Sequence, residues 1–217
     1  MESSYLREQA RFSLAGKWGL AVLTTFIAAL LGGLVTRTGN KLSFNAEDVA
    51  RAPEQLHTFL NYILAVSVML GFVQFIVGGV VELGYSRFLL NLQDEKEAKV
   101  GDLFSQFDRF GDGFYLALLR GLFTALWTLL FIIPGIVASY SYAMAGFILA
   151  ENPGMTASEA LRESKELMRG HKFDLFCLNL SFIGWALLSV LTLGIGTLWL
   201  NPYRNAAQAA FYRSLVH

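Results

Sequence analysis

The sequence predicts an all-α, polytopic membrane protein: six transmembrane helices in three hairpins, with amphipathic helices on the cytoplasmic surface. Three observations predict it. Of 217 residues, 54% are hydrophobic and 16% charged, against roughly 25% charged in soluble domains, and mean hydropathy is +0.47. Apolar runs reach the roughly 20 residues needed to cross a hydrocarbon core of about 30 Å with every backbone group satisfied internally. The basic residues gather on one side of those runs. The 17 basic and 17 acidic residues balance, so no basic field exists to hold nucleic acid. The single cysteine, Cys177, forms no internal disulfide. Together these features argue against a soluble enzyme, a disordered chain and a disulfide-rich secreted module. Residues 1–217 read as a single integral membrane domain.

Residues 18–35 form the first span, free of charge and too long for a signal-peptide core. The second covers about 59–90, longer than one crossing, so its last turns from Gly84 through Arg87 to Asn91 project beyond the membrane. Residues 114–150 are too long for one helix and are interrupted by Pro134-Gly135. Proline lacks the interior amide and glycine tolerates a turn, which predicts two helices in a tight hairpin. Residues 173–193 make the fifth span, and Gly194-Ile195-Gly196 the next turn. The sixth segment, 197–213, carries Asn201, Pro202, Arg204, Asn205 and Gln208. If it spans, its polar face must turn toward the other helices; otherwise it lies on the surface.

Orientation follows from the basic residues. With the N-terminus inside, the inner set is Arg7, Arg11, Lys17, Arg87, Lys96, Lys99, Arg109, Arg162, Lys165, Arg169, Lys172 and Arg213. Only Arg37, Lys41 and Arg51 fall outside. Positive residues are retained in the cytoplasm, so both termini are expected there.

Thr156-Ala-Ser-Glu159 is a capping box, and the helix it opens should close at Gly170. Its apolar face (Ala157, Ala160, Leu161, Ser164, Leu167, Met168) opposes Arg162, Glu163, Lys165, Glu166 and Arg169, a pattern that lies flat at headgroup level. Residues 5–16 and 100–111 occupy similar places before the first and third spans, the latter with Phe104, Phe107 and Phe110 as interfacial anchors. Gly111-Asp-Gly-Phe-Tyr-Leu116 and Gly170-His-Lys-Phe-Asp-Leu175 match in register, and Gly135 to Tyr142 repeats the spacing of Gly196 to Tyr203. These parallels suggest three units of surface helix plus hairpin, 1–92, 93–151 and 152–217.

Chemistry is nearly absent. His57, His171 and His217 have no metal-ligand spacing, and no phosphate loop or nucleophile elbow occurs. Asp108 and Asp112 are four apart, but Gly111 and Gly113 beside them suggest a loop. No catalytic, metal or cofactor residue is assigned, and the chain is read as a non-enzyme. The intramembrane polar groups say more. Glu82 and Arg120 lie at matching depths, so they are expected to pair, because an unpaired charge there costs at least ~2.5 kcal/mol. Arg204 lies deeper with no evident acidic partner; Asn179, Asn205, Gln208 and Gln74 can solvate it, forming either interhelical glue or a polar path. Ala117, Gly121 and Ala125, with Gly135, Ser139 and Ala143, recur every fourth residue and predict close packing within the hairpin, Ala125 opposite Ala143.

Ile133-Pro-Gly-Ile136 with Tyr140 and Tyr142, Phe147-Ile-Leu-Ala-Glu-Asn-Pro153 and Glu159-Ala-Leu-Arg-Glu-Ser164 resemble a family of bacterial integral membrane proteins known only as domain of unknown function 975. Met168-Arg-Gly-His-Lys172, Leu180-Ser-Phe-Ile-Gly-Trp185 and Leu193-Gly-Ile-Gly196 add to it, and Leu14-Ala-Gly-Lys-Trp18 and Gly101-Asp-Leu-Phe104 fit its earlier parts. The chain also looks distantly like the membrane portion of some glycerophosphodiester phosphodiesterases, without their catalytic domain. The resemblance implies a multi-span protein of the bacterial plasma membrane and transfers no catalytic residue. The expected role is an accessory, regulatory or protective membrane component, acting through lipid, a membrane protein partner or a second copy of itself. The competing readings are a small-solute transporter or channel, and a lipid-associated enzyme or its regulatory subunit. A polar cavity lined by Arg204 would favour transport; a dry, packed centre would favour the accessory role.

Overall fold

The computed structural model describes residues 3–32, 54–192 and 194–216, and the regular structure among them is helical. The expectations for residues 33–35, Arg37, Lys41, Arg51, Leu193, His217 and the His57 side chain fall outside what is described. Helix α1 (Ser3–Leu14) and α2 (Trp18–Gly32) meet at 100°. Gly16 makes the corner with φ +73°, a left-handed backbone that glycine adopts without a Cβ penalty. α1 is amphipathic and buries Leu6, Ala10, Ser13 and Leu14. α3 (Glu54–Gln93) is one continuous helix running antiparallel to α2: the Gln74 amide donates to the Leu30 carbonyl at 3.1 Å, and Tyr85 meets Thr25 at 2.8 Å.

The stretch before the third apolar run differs from expectation. Instead of a surface α-helix, residues 100–109 form two short 3₁₀ turns, Val100–Phe104 and Phe107–Arg109. α4 (Phe110–Leu130) follows at once. Gly111 and Gly113 therefore lie inside a helix, not in a loop, and Asp112 sits in its first turn, where the helix dipole favours it. Tertiary contact outweighs glycine's poor helix propensity here. A Cβ on Gly79 would collide with the Gly113 carbonyl, and one on Gly84 with the Leu103 carbonyl. Backbone contact at these points sets how closely α3 approaches its neighbours.

The hairpin turn sits at Phe131, extended at φ −156° and ψ 140°, three residues before the proline expected to make it. α5 (Ile132–Ser141) already includes Pro134 in its first turn, where an amide would have no intrahelical partner anyway. Gly135 then lets α5 press against α4 at Thr128, since a Cβ would overlap that residue. Gly196 bears on Ser189 in the same way, seven residues apart as in the first case. α5 stops at Ser141, and α6 (Ala145–Glu151) resumes after a turn. α7 (Ala157–Leu167) closes the break: the Ser164 hydroxyl donates to the Ser141 carbonyl at 2.9 Å and accepts from the Met144 amide at 3.2 Å. The apolar face of α7, read from sequence as lying on lipid, thus buries Ala157, Ala160, Leu161 and Ser164 within the protein. Its capping box forms, and Gly170 ends the following turn at φ +88°.

α8 (Lys172–Leu180), α9 (Ile183–Leu191) and α10 (Thr197–Val216) complete the chain. Among the described residues, four stretches are long and apolar enough to cross a membrane: Leu64–Gln93, Val100–Leu130, Ile133–Glu151 and Lys172–Leu191. The bent α1–α2 pair makes a fifth if it counts as one span. α10, read as the sixth, is not among them. Its start shares a small cavity with Trp18, Gly19 and Val22 through Leu198 and Trp199, and its end reaches Asp94 through Arg213 at 2.6 Å. Trp18 and Asp94 lie at one end of the antiparallel α2–α3 pair, and between these contacts Asn205 of α10 reaches Tyr85, about two turns inside α3. The pinning at that end is polar. Arg213 also meets Glu151 at 2.6 Å, Tyr212 donates to Glu151 at 2.8 Å, and Arg109 donates to the Leu149 and Met155 carbonyls at 2.9 and 3.0 Å.

Candidate functional site

Arg120, Thr124 and Thr128 are spaced by four residues and so share one face of α4. Ala117, Gly121 and Ala125 form the adjoining row. Both rows line a cavity of about 860 Å³ whose other walls are Ser139, Tyr140 and Ala143, Leu175 and Asn179 of α8, and Arg204 and Gln208 of α10. The small residues expected to pack the hairpin shut instead leave room at this wall; a Cβ on Gly121 would meet nothing within 4 Å. Spacing placed these residues on one face but did not say what lies opposite. Of the two glycines in the stripes, Gly135 alone makes the close contact.

Glu82 and Arg120 meet in a bidentate pair, Nη1 to Oε1 at 2.8 Å and Nη2 to Oε2 at 2.6 Å. The side chains are 22% and 15% exposed respectively. The planar guanidinium fork matches both carboxylate oxygens, which is the strongest geometry such a pair adopts. Arg204 is different. Its Nε is buried without a hydrogen-bond partner, and no salt bridge to it occurs among the described residues. Beside it the Gln208 amide donates to Asn179 Oδ1 at 3.4 Å. Glu82 and Arg120 cancel, so the cavity carries one net positive charge, that of Arg204.

The remaining expected member, Asn205, turns away. Its amide donates to the Tyr85 hydroxyl at 3.1 Å; Tyr85 meets Thr25 at 2.8 Å, and Thr25 donates to the Ala21 carbonyl at 2.7 Å. This chain ties α10 to α3 and α2 and is structural. Thr124 and Thr128 were not singled out from sequence, although their four-residue spacing from Arg120 carried the signal; Ser139 was read as packing and Tyr140 as part of the family likeness. The Thr128 and Ser139 hydroxyl protons go to carbonyls of their own helices, so these oxygens face the cavity as acceptors. A second cavity of about 340 Å³ is apolar and lies among Trp18, Trp185, Trp199 and Tyr203, with Arg11 and the Thr192 to Gly196 turn at its edge.

No curated protein and no solved structure matches the chain. A family model matches residues 129–217, which include Asn179, Arg204 and Gln208 but not Glu82, Arg120 or the likeness noted at Leu14 to Trp18 and Gly101 to Phe104. Residues 129–217 carry the domain of the family described as protein of unknown function, DUF975.

Proposed function

We propose that this chain is a multi-pass protein of the bacterial plasma membrane that takes a small polar solute into the cavity between α4, α5, α8 and α10, as a carrier or channel does. The observation that carries this reading is Arg204, a cation on the wall of a space of about 860 Å³ with no ion-pair partner among the described residues. Ligand cavities run from about 300 to 1,000 Å³, and an intramembrane charge without a partner is costly unless it serves a ligand or a hydrated path. A purely accessory component working through helix and lipid contacts has no use for such a space. The reading is non-enzymatic: Glu82 is the one carboxylate bound into the wall, through Arg120, and no histidine joins it among the described residues.

The excess of basic residues on one side supports a cytoplasmic position for the end that carries α1, Asp94, Glu151 and Arg213.

Cysteine accessibility tests the proposal. In a Cys177→Ser background, Gly121→Cys fits without displacing any atom and should react with a charged, water-soluble thiol reagent in membranes. Leu129→Cys, at an 87% exposed site on the apolar surface, should not react. A Gly121→Cys protein that stays unlabelled while Gly154→Cys in the surface turn is labelled would mean a dry cavity and end the solute-binding reading.

A further inference from the structure

We infer that the ligand of this cavity is a singly charged oxyanion held by Arg204, an inference that rests on the solute-binding reading above and adds the chemistry of the solute. The charge balance carries it. The Glu82 oxygens are both engaged by Arg120 at 2.8 and 2.6 Å, so a cationic ligand meets no available carboxylate in the wall. A neutral ligand leaves the Arg204 charge uncompensated in a membrane interior, which is unfavourable. One negative charge neutralises the site.

The donors agree with the charge. A guanidinium offers five N–H groups in a planar fork that matches two oxygens of one carboxylate or phosphate. Arg204 lines the cavity and makes no salt bridge among the described residues, which leaves the two Nη groups of that fork for a ligand. Asn179 and Gln208, joined by a hydrogen bond, line the cavity with Arg204, as does Tyr140. The acceptor oxygens of Thr128 and Ser139 suit the hydroxyl groups or water that accompany an oxyanion. Two sources supply this chemistry: the phosphodiester of a phospholipid headgroup reaching in from the bilayer, and a free oxyanion arriving from water.

The test uses the full chain in neutral detergent at constant ionic strength, with two ligand arms. One arm compares micelles doped with phosphatidylglycerol against phosphatidylcholine; the other compares sodium phosphate and sodium acetate against sodium chloride. Wild type should show a saturable rise in unfolding temperature in one arm, and that arm identifies the source. Arg204→Gln should weaken the apparent affinity at least tenfold, and Arg204→Lys, which keeps the charge but loses the fork, should fall between. Without ligand, Arg204→Gln should unfold at a temperature no lower than wild type, because a lone cation has been removed. No shift in either arm, or an equal shift in wild type and Arg204→Gln, overturns the inference. Gly121→Cys labelling run alongside separates the two failures: a labelled cavity that binds no anion defeats only the oxyanion assignment, and an unlabelled one defeats the solute-binding reading itself.

Discussion

The Glu82–Arg120 pair allows the sharpest energetic test. Arg120 lies ten residues into α4, about 15 Å along the axis at 1.5 Å per residue, in the wall of the cavity. Glu82→Gln leaves the guanidinium with a neutral partner at that depth. Insertion scales put an uncompensated arginine at about 2.5–3.5 kcal/mol, and removing one partner of a buried pair costs about 3–5 kcal/mol. With both side chains partly exposed to the cavity, a loss of about 3 kcal/mol is expected. Arg120→Gln should cost less, about 2 kcal/mol, because a carboxyl can take up a proton and become neutral. The double variant loses the pair but strands no charge and should cost about 1 kcal/mol. The cycle thus predicts that the summed single losses exceed the double by about 4 kcal/mol. Reversible unfolding in mixed detergent and dodecyl sulfate micelles, followed by circular dichroism, gives all four values. Losses that add to within about 0.5 kcal/mol would mean that the two residues act independently, and the bidentate geometry would then carry no stability.

Three further outcomes follow from the packing. Gly84→Ala drives a methyl into the Leu103 carbonyl and should lower stability by about 2 kcal/mol, whereas Gly121→Ala enters open space and should be neutral within about 0.5 kcal/mol; denaturation midpoints of the two variants decide it. Tyr85→Phe removes the central hydroxyl between Asn205 and Thr25 and should cost about 1–3 kcal/mol, with most of the loss recovered by adding Asn205→Leu. The backbone amide of Thr156, and then its hydroxyl, hold the Glu159 carboxyl below its usual range. A depressed carboxyl stabilises the fold above its ordinary pKa, and that contribution fades as pH falls through the lowered one. Unfolding temperatures of wild type and Glu159→Gln should therefore differ more at pH 7 than at pH 3.

The apolar runs were legible because membrane insertion is governed by local composition over about 20 residues. Glu82 and Arg120 were legible as a pair because depth along two adjacent helices follows from residue counts. The capping box was legible because its partners are three residues apart. What sequence could not show depends on neighbours distant in the chain. The turn fell at Phe131 because Pro134 is acceptable in a first helical turn, so the proline marked the hairpin without ending a helix. Gly113 sits within α4 because the α3 backbone at Gly79 and Val80 lies against it, and Gly111 falls in the same first turn. The Ala117, Gly121 and Ala125 row became a cavity wall because a four-residue spacing defines a face and leaves its occupant unspecified. The polar side chains of α10 kept its hydropathy below that of a span, and Arg204 lines the cavity while Asn205, one residue on, turns to Tyr85.

The ties made by Arg109 and Arg213 have a mechanical consequence. They fix the bases of α4, α6 and α10 to one another, whereas the outer turns of α4 and α5 carry Leu129, Leu130, Phe131 and Ile133 as bare hydrocarbon surface. That pair of helices is built as a cantilever, clamped below and free above. Thermal bending of its free length would widen or narrow the space beside Thr128 while the clamped foundation stays still.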